Sequence, residues 1–242
     1  MKSRAPRCGA PHLHRNKAKL KAGCIARLSS SPYTIVVYAI RRSFVAFLLL
    51  LLVSPLFGAE RPVLVCFGDS ITAGLGLEPS QAYPAQLQQK LDAAGYLYNV
   101  INQGTSGATS KDAVASLPYI LRLHPEVVIV EFGGNDGLRG LPPSQTRANL
   151  DRVLAQLEAA HVKILLAGIT LPPSYGPDYI RAFEQMFPAL AVQHHAALVP
   201  MLYKSLVNVP GTIQRDGIHP TAKGSAIIAD TLLPVLRPLL RR

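Results

Sequence analysis

The stretch VLVCFGDSITAG, Val63 to Gly74, decides how this chain is read. A run of apolar residues stops at Gly68-Asp69-Ser70, and the next few residues have the character of a helix start. A buried strand that passes into a helix through small residues is an ordinary connection, and a Ser70 that caps the helix would need no further explanation. The same connection is also one way to hold a nucleophile at the rim of a sheet. The rest of the chain has to choose between them.

From Pro62 onward the pattern is that of an α/β domain. Apolar, β-branched-rich runs at 62–67, 96–102, 126–132, 162–168 and 196–200 alternate with helical spacing over roughly 81–94, 109–123, 144–160, 177–195 and 221–237. The strand runs are nearly continuous in hydrophobicity, which predicts helices on both faces of a sheet. Ser144 is expected to cap the helix whose stripe is Leu150, Val153, Leu154 and Leu157, Gly95 to end another, and the proline-rich 170–178 to be a loop. In such sheets ligands gather beyond the carboxyl ends of the strands. Four polar clusters lie just after strands or in the last loop: GDS (68–70), NQGTSGATS (102–110), GGNDGLRG (133–140) and DGIHPTAKG (216–224).

Each cluster has a bland reading and a chemical one. A serine hydroxyl attacks only when a base takes its proton, and the base needs an orienting group. His219 stands before Pro220 on a stiff turn, with Asp216 three residues upstream to fix its tautomer. Otherwise the segment is a surface loop in which Asp216 caps the last helix. Asn135 and Gly107 follow strands through glycine-rich turns and can offer a carboxamide and a backbone N–H to an oxyanion. Read singly, they are turn residues supplying positive φ.

Composition narrows the classes. The formal charge is +11, but residues 1–59 hold ten Lys or Arg and no acid, whereas residues 60–242 set fifteen basic residues against fourteen acidic ones. The basic excess therefore belongs to the leader, and no basic stripe with interleaved aromatics marks 60–242 as a nucleic-acid binder. Within the leader, 41–59 has the basic pair Arg41-Arg42, the leucine run Leu48 to Leu52 and Ala59 at its end, the layout of a secretory signal peptide or, uncleaved, of an anchor. The leucine run favours the general secretory route over twin-arginine export. Residues 1–40 read as a basic extension or as text upstream of a later start near Val36 or Val37. Cys8 and Cys24 lie in the leader, so Cys66 alone belongs to 60–242 and no disulfide is expected there. His194 and His195 sit in a helical segment without a carboxylate at orienting spacing and read as surface or helix-end residues. His124 and His161 read as helix ends before strands. No grouping of His, Cys, Asp or Glu has metal-ligand spacing.

Together the four clusters, in this order and spacing, resemble the GDSL or SGNH hydrolase superfamily, whose blocks contribute Ser, Gly, Asn and His. The likeness runs from Val63 to about Leu236 and is closest to the bacterial periplasmic thioesterase, arylesterase and lysophospholipase branch, for which EFGGNDGLRG (131–140) is the most telling segment. The resemblance implies a flavodoxin-like three-layer α/β/α sandwich with five parallel strands in the order 2-1-3-4-5. It implies Ser70 as nucleophile, His219 as base and Asp216 as its orienter, with the Ser70 and Gly107 N–H groups and the Asn135 side chain as oxyanion hole. It also implies that the loop from Gly137 to Pro142 closes over acyl chains. Where some relatives carry an acidic residue after the second-block glycine, this chain has Ala108.

On this reading Leu138, Leu141, Ile169 and Tyr175 are the candidates for an acyl pocket. The expected partner is a small acyl ester or thioester, with transient contact to membrane lipid, no nucleic acid and no cofactor or metal. Residues 60–242 are the expected hydrolase domain, exported or anchored. A carbohydrate O-deacetylase with the same catalytic parts, or a non-catalytic envelope-binding module, are the rival readings. No G-x-S-x-G occurs, which disfavours an α/β-hydrolase elbow.

Overall fold

The computed structural model describes residues 60–242; the expected basic extension 1–40 and the expected signal segment 41–59 lie outside them. Five strands form the sheet: β1 (Val63–Gly68), β2 (Asn99–Gly104), β3 (Pro125–Glu131), β4 (Lys163–Ala167) and β5 (Ala197–Val199). All neighbours are parallel, and the order is β2-β1-β3-β4-β5, as the resemblance implies. The helices are α1 (Ser70–Ala73), α2 (Tyr83–Ala93), α3 (Ser110–Leu121), α4 (Gly134–Leu138), α5 (Pro143–Ala159), α6 (Pro177–Gln193) and α7 (Ala222–Leu236). α2 packs on α7, while α3, α5 and α6 pack in series, giving a helical layer on each side of the sheet.

Parallel strands need crossovers, and covering both faces explains their unbroken apolar text. Leu64, Val65 and Cys66 of β1 and Val127 to Val130 of β3 are fully or almost fully buried. In register, Gly68 lies beside Gly104 on one side and Glu131 on the other, so β1, β2 and β3 end together. From β1 the chain crosses to β2 on one side, and from β2 it returns past β1 to β3 on the other. That reversal opens a crevice above the end of β1.

Several boundaries differ from expectation. β2 starts at Asn99 rather than Tyr96, because Gly95 (φ 79°) closes α2 and the Tyr96 N–H still bonds back to the Leu91 carbonyl, leaving Asn99 as the first residue to pair. α5 starts at Pro143, and Ser144 does not cap it; the Pro142 carbonyl accepts the N–H groups of Gln145 and Thr146. A proline at the first helical position lacks only an N–H that would have no partner anyway. His124, His161 and His195 follow α3, α5 and α6 with φ of 49°, 57° and 51°, taking the left-handed position that Gly95 takes after α2. His194 takes the helix-end place expected of it, as C-cap of α6, but is buried rather than at the surface, with Nδ1 3.1 Å from Glu158 Oε2 and Nε2 2.8 Å from Asp151 Oδ1, and so ties α6 to α5.

Candidate active site

Gly68 ends β1 where only a glycine fits, since a Cβ there would collide with the Thr72 hydroxyl and the Glu131 carboxylate. Asp69, not Ser70, caps the next helix: its Oδ1 accepts the Ile71 N–H at 3.0 Å. Ser70 is therefore the first residue of α1, relieved of capping, with its hydroxyl turned toward the crevice. Gly74, at φ 79°, stops α1 after one turn.

The last loop brings His219 to that hydroxyl. Asp216 Oδ1 accepts the N–H groups of Ile218 (2.9 Å) and His219 (3.0 Å), folding the loop around its own side chain with Gly217 at φ 75°. Gln214 then staples the loop to α1's end, its amide donating to the Leu75 carbonyl (2.8 Å) and the Pro220 carbonyl (2.9 Å). Tyr203 donates to the Ile218 carbonyl at 2.9 Å. The result is His219 Nε2 at 2.8 Å from Ser70 Oγ and His219 Nδ1 at 2.7 Å from Asp216 Oδ2. Backbone donation from Ile218, then the bond with the imidazole, pulls the Asp216 carboxyl down to about 2. An ionised carboxylate can only accept, so Nδ1 carries the hydrogen and Nε2 is free to accept from the serine.

The other two clusters meet on the opposite side. Gly107, at φ 80°, turns the exposed loop after β2. The Asn135 carboxamide in α4 donates to Asp69 Oδ2 (3.1 Å) and to the Ala108 carbonyl (3.0 Å). Arg139 donates to the Gly107 carbonyl at 2.9 Å. Beneath them Asp136 accepts from the Ser110 N–H (2.8 Å), the Ser110 hydroxyl (2.5 Å) and the Thr146 hydroxyl (3.3 Å), locking α3, α4 and α5 together. Among the described residues, neither the Ser70 nor the Gly107 N–H meets an acceptor.

Comparison with known proteins matches residues 66–227 to the GDSL-like Lipase/Acylhydrolase family. The chain belongs to this family. Esterase TesA of Pseudomonas aeruginosa is 44% identical over 183 residues, covering 75% of this chain and 91% of TesA. Thioesterase 1/protease 1/lysophospholipase L1 of Escherichia coli is 39% identical over 183 residues, covering 75% and 86%. A crystal structure of TesA superposes with a TM-score of 0.71 at 44% identity, over 74% of this chain and 99% of that one.

Two residues of the GDSL site carry no signal in the sequence strong enough to single them out. Asp69 is buried and orients Asn135 as well as capping α1. Glu131, at the end of β3, is fully buried; its Oε2 accepts from Thr72 Oγ1 (2.8 Å) and the Asp69 N–H (3.3 Å), while Oε1 finds no partner. Burial, with the Asp69 carboxylate as the next cause, raises the Glu131 carboxyl well above the usual range. Burial raises Asp69 too, against donors at Ile71 and Asn135 that favour its ionised form. Their positions are the only hint: one acid just before the serine, another ending an apolar strand.

A cavity of about 540 Å³ opens beside Ser70, Asn135 and His219. Of the expected pocket residues Leu138 and Ile169 line it, whereas Leu141 and Tyr175 do not. Tyr175 sits in the short turn Pro173–Tyr175 and spends its hydroxyl on the Leu138 carbonyl. Leu141 lies past the end of α4, its carbonyl taken by Tyr179. In their place stand Leu171, Pro172, Pro173, Tyr203 and Ile218. The proline-rich loop leaves the carboxyl end of β4, so the ligand rule for parallel sheets already pointed to it. Ala108 is buried against the core and faces a separate, smaller pocket.

Proposed function

We propose that this chain is a serine esterase and thioesterase that cleaves fatty acyl substrates through an acyl-enzyme. The observation that carries it is the unbroken relay Asp216–His219–Ser70, at 2.7 and 2.8 Å, at the mouth of a largely apolar cavity. Relatives named esterase and thioesterase supply the bond class.

Ser70 Oγ attacks the acyl carbonyl as its proton passes to His219 Nε2, and Asp216 holds the imidazolium so formed. The carbonyl π electrons move to oxygen, and the N–H groups of Ser70 and Gly107 and the Asn135 amide donate hydrogen bonds to the resulting oxyanion. In the resting site both amide hydrogens of Asn135 are engaged, so the oxyanion shares the one that points to the Ala108 carbonyl while Asp69 keeps the other. Collapse expels the alcohol or thiol, which takes the proton from Nε2 and leaves an ester on Ser70. Water, deprotonated by the same nitrogen, repeats the cycle and frees the acid.

The cavity volume favours fatty acyl groups over the acetyl group that a carbohydrate deacetylase removes. At about 30 Å³ per water, an acetyl methyl would leave most of the space for solvent against apolar walls. Export follows from the layout of residues 41–59, with 60–242 as the mature hydrolase. Ser70→Ala and His219→Ala should each lower kcat/KM on p-nitrophenyl butyrate by about 10³-fold or more. A Ser70→Ala protein with parental turnover would refute the proposal.

A further inference from the structure

One wall of the cavity, in contact with the proline-rich loop, is the segment after Asn135. Its N–H groups are satisfied within the segment: Arg139 to the Asn135 carbonyl, Gly140 to Gly137 and Leu141 to Asp136. Two of its carbonyls, those of Leu138 and Leu141, are taken from outside. Tyr175 donates to the Leu138 carbonyl at 2.7 Å, and Tyr179, in the first turn of α6, donates to the Leu141 carbonyl at 2.6 Å with a longer contact to Gly137 at 3.4 Å. The two rings stack at 6.2 Å, so each supports the other's position. Burial raises the Tyr179 phenol further above neutrality, which keeps the hydroxyl a donor.

The side chain that these bonds fix is Leu138, which lines the cavity. Behind it Gly137 is pressed so closely on Leu171, another wall residue, that a Cβ at 137 would overlap it. One loop thus supplies Pro172 and Pro173 to the lining and, through Tyr175, the hold on the adjoining Leu138 segment. Neither tyrosine lines the cavity, and the hydroxyls of both bond to the backbone of the Leu138 segment rather than to Ser70, Asn135 or His219.

Resting on the acyl-enzyme reading above, we propose that Tyr175 and Tyr179 are specificity-determining positioning residues whose hydroxyls hold the Leu138 wall against the distal part of an acyl chain. An acetyl group ends short of that wall and gains nothing from it. A longer chain packs on Leu138 and loses that contact when the wall is released. The preference for long over short acyl groups therefore depends on two hydroxyls that touch no substrate.

The test is a chain-length series of p-nitrophenyl esters, acetate to dodecanoate, on the protein, Tyr175→Phe, Tyr179→Phe, the double variant and Leu138→Ala. Each Tyr→Phe change should lower the dodecanoate-to-acetate ratio of kcat/KM by about fivefold, the worth of one ordinary hydrogen bond, with the loss in KM. In a double-mutant cycle Tyr175→Phe should cost little once Leu138 is Ala, because its effect passes through that side chain. Ratios that stay parental, losses equal at every chain length, or additivity with Leu138→Ala would each overturn the proposal; Leu138→Ala, a surface-lining truncation, keeps the test valid if a tyrosine variant fails to fold. A parental protein inactive on every ester would instead refute the acyl-enzyme reading.

Discussion

Asn135 shows how much of this site is settled by partners rather than by the reacting groups. Its amide has one fixed anchor, the Asp69 carboxyl oxygen, and one, the Ala108 carbonyl, that an oxyanion would displace on the proposed mechanism. Removing the donor with Asn135→Ala should lower kcat by about 10² to 10³-fold. Asp69→Asn is the finer probe. It retains an oxygen for the cap at Ile71 but sets an amide donor against an amide donor, so Asn135 must turn. Turnover should fall by roughly tenfold or more while the fold survives, measured by kcat beside thermal melting. Glu131 carries a different signature. Its carboxyl lies well above the usual range in the folded protein, through burial first, and near about 4.3 when unfolded. Between those values the folded state holds a proton that the unfolded chain has released, so its contribution to stability falls as pH rises. Glu131→Gln removes that proton, and its melting advantage should grow to a few degrees above about pH 5 and vanish below about pH 4. An advantage independent of pH would contradict the assignment.

At the level of elements, the site depends on how closely α1 lies on β2. A Cβ at Gly104 would run into the backbone of Thr72 and Ala73, which no rotamer can relieve. Gly104→Ala should therefore destabilise the protein by about 1–3 kcal/mol and misplace Ser70 as well, read by urea melts and by loss of kcat. The five strands and five longer helices were legible because their apolar runs and stripes are long and bounded by Gly or Pro. What escaped was decided by single backbone bonds, such as the Tyr96 N–H that stays with α2, or by partners far away in sequence. His194 illustrates the second case: its carboxylates, Asp151 and Glu158, come from α5, beyond the reach of any local spacing rule. The His194 bond holds the Glu158 carboxyl below the usual range. Ser70, Gly107, Asn135, Asp216 and His219 were legible as candidates because each follows a strand or sits in a Gly- or Pro-shaped turn. Asp69 and Glu131 were not, because no pattern reveals that a buried acid lacks a cation.

On the scale of the molecule, one topological fact does most to unite these parts. The order β2-β1-β3 places the reversal of the chain directly above Gly68, and all four polar clusters converge there from different crossovers. The family match and the TM-score of 0.71 speak to this shared frame. The cavity walls, by contrast, come from loops whose paths the frame does not dictate, which is why half of the expected pocket residues moved off the wall. The relay itself is best checked by intact-protein mass spectrometry of residues 60–242 after a fluorophosphonate probe, with peptide mapping of the adduct. One phosphonyl group on Ser70, formed far more slowly in His219→Ala, is the outcome the relay predicts. No adduct, or an adduct on another residue at the same rate in both proteins, would contradict it.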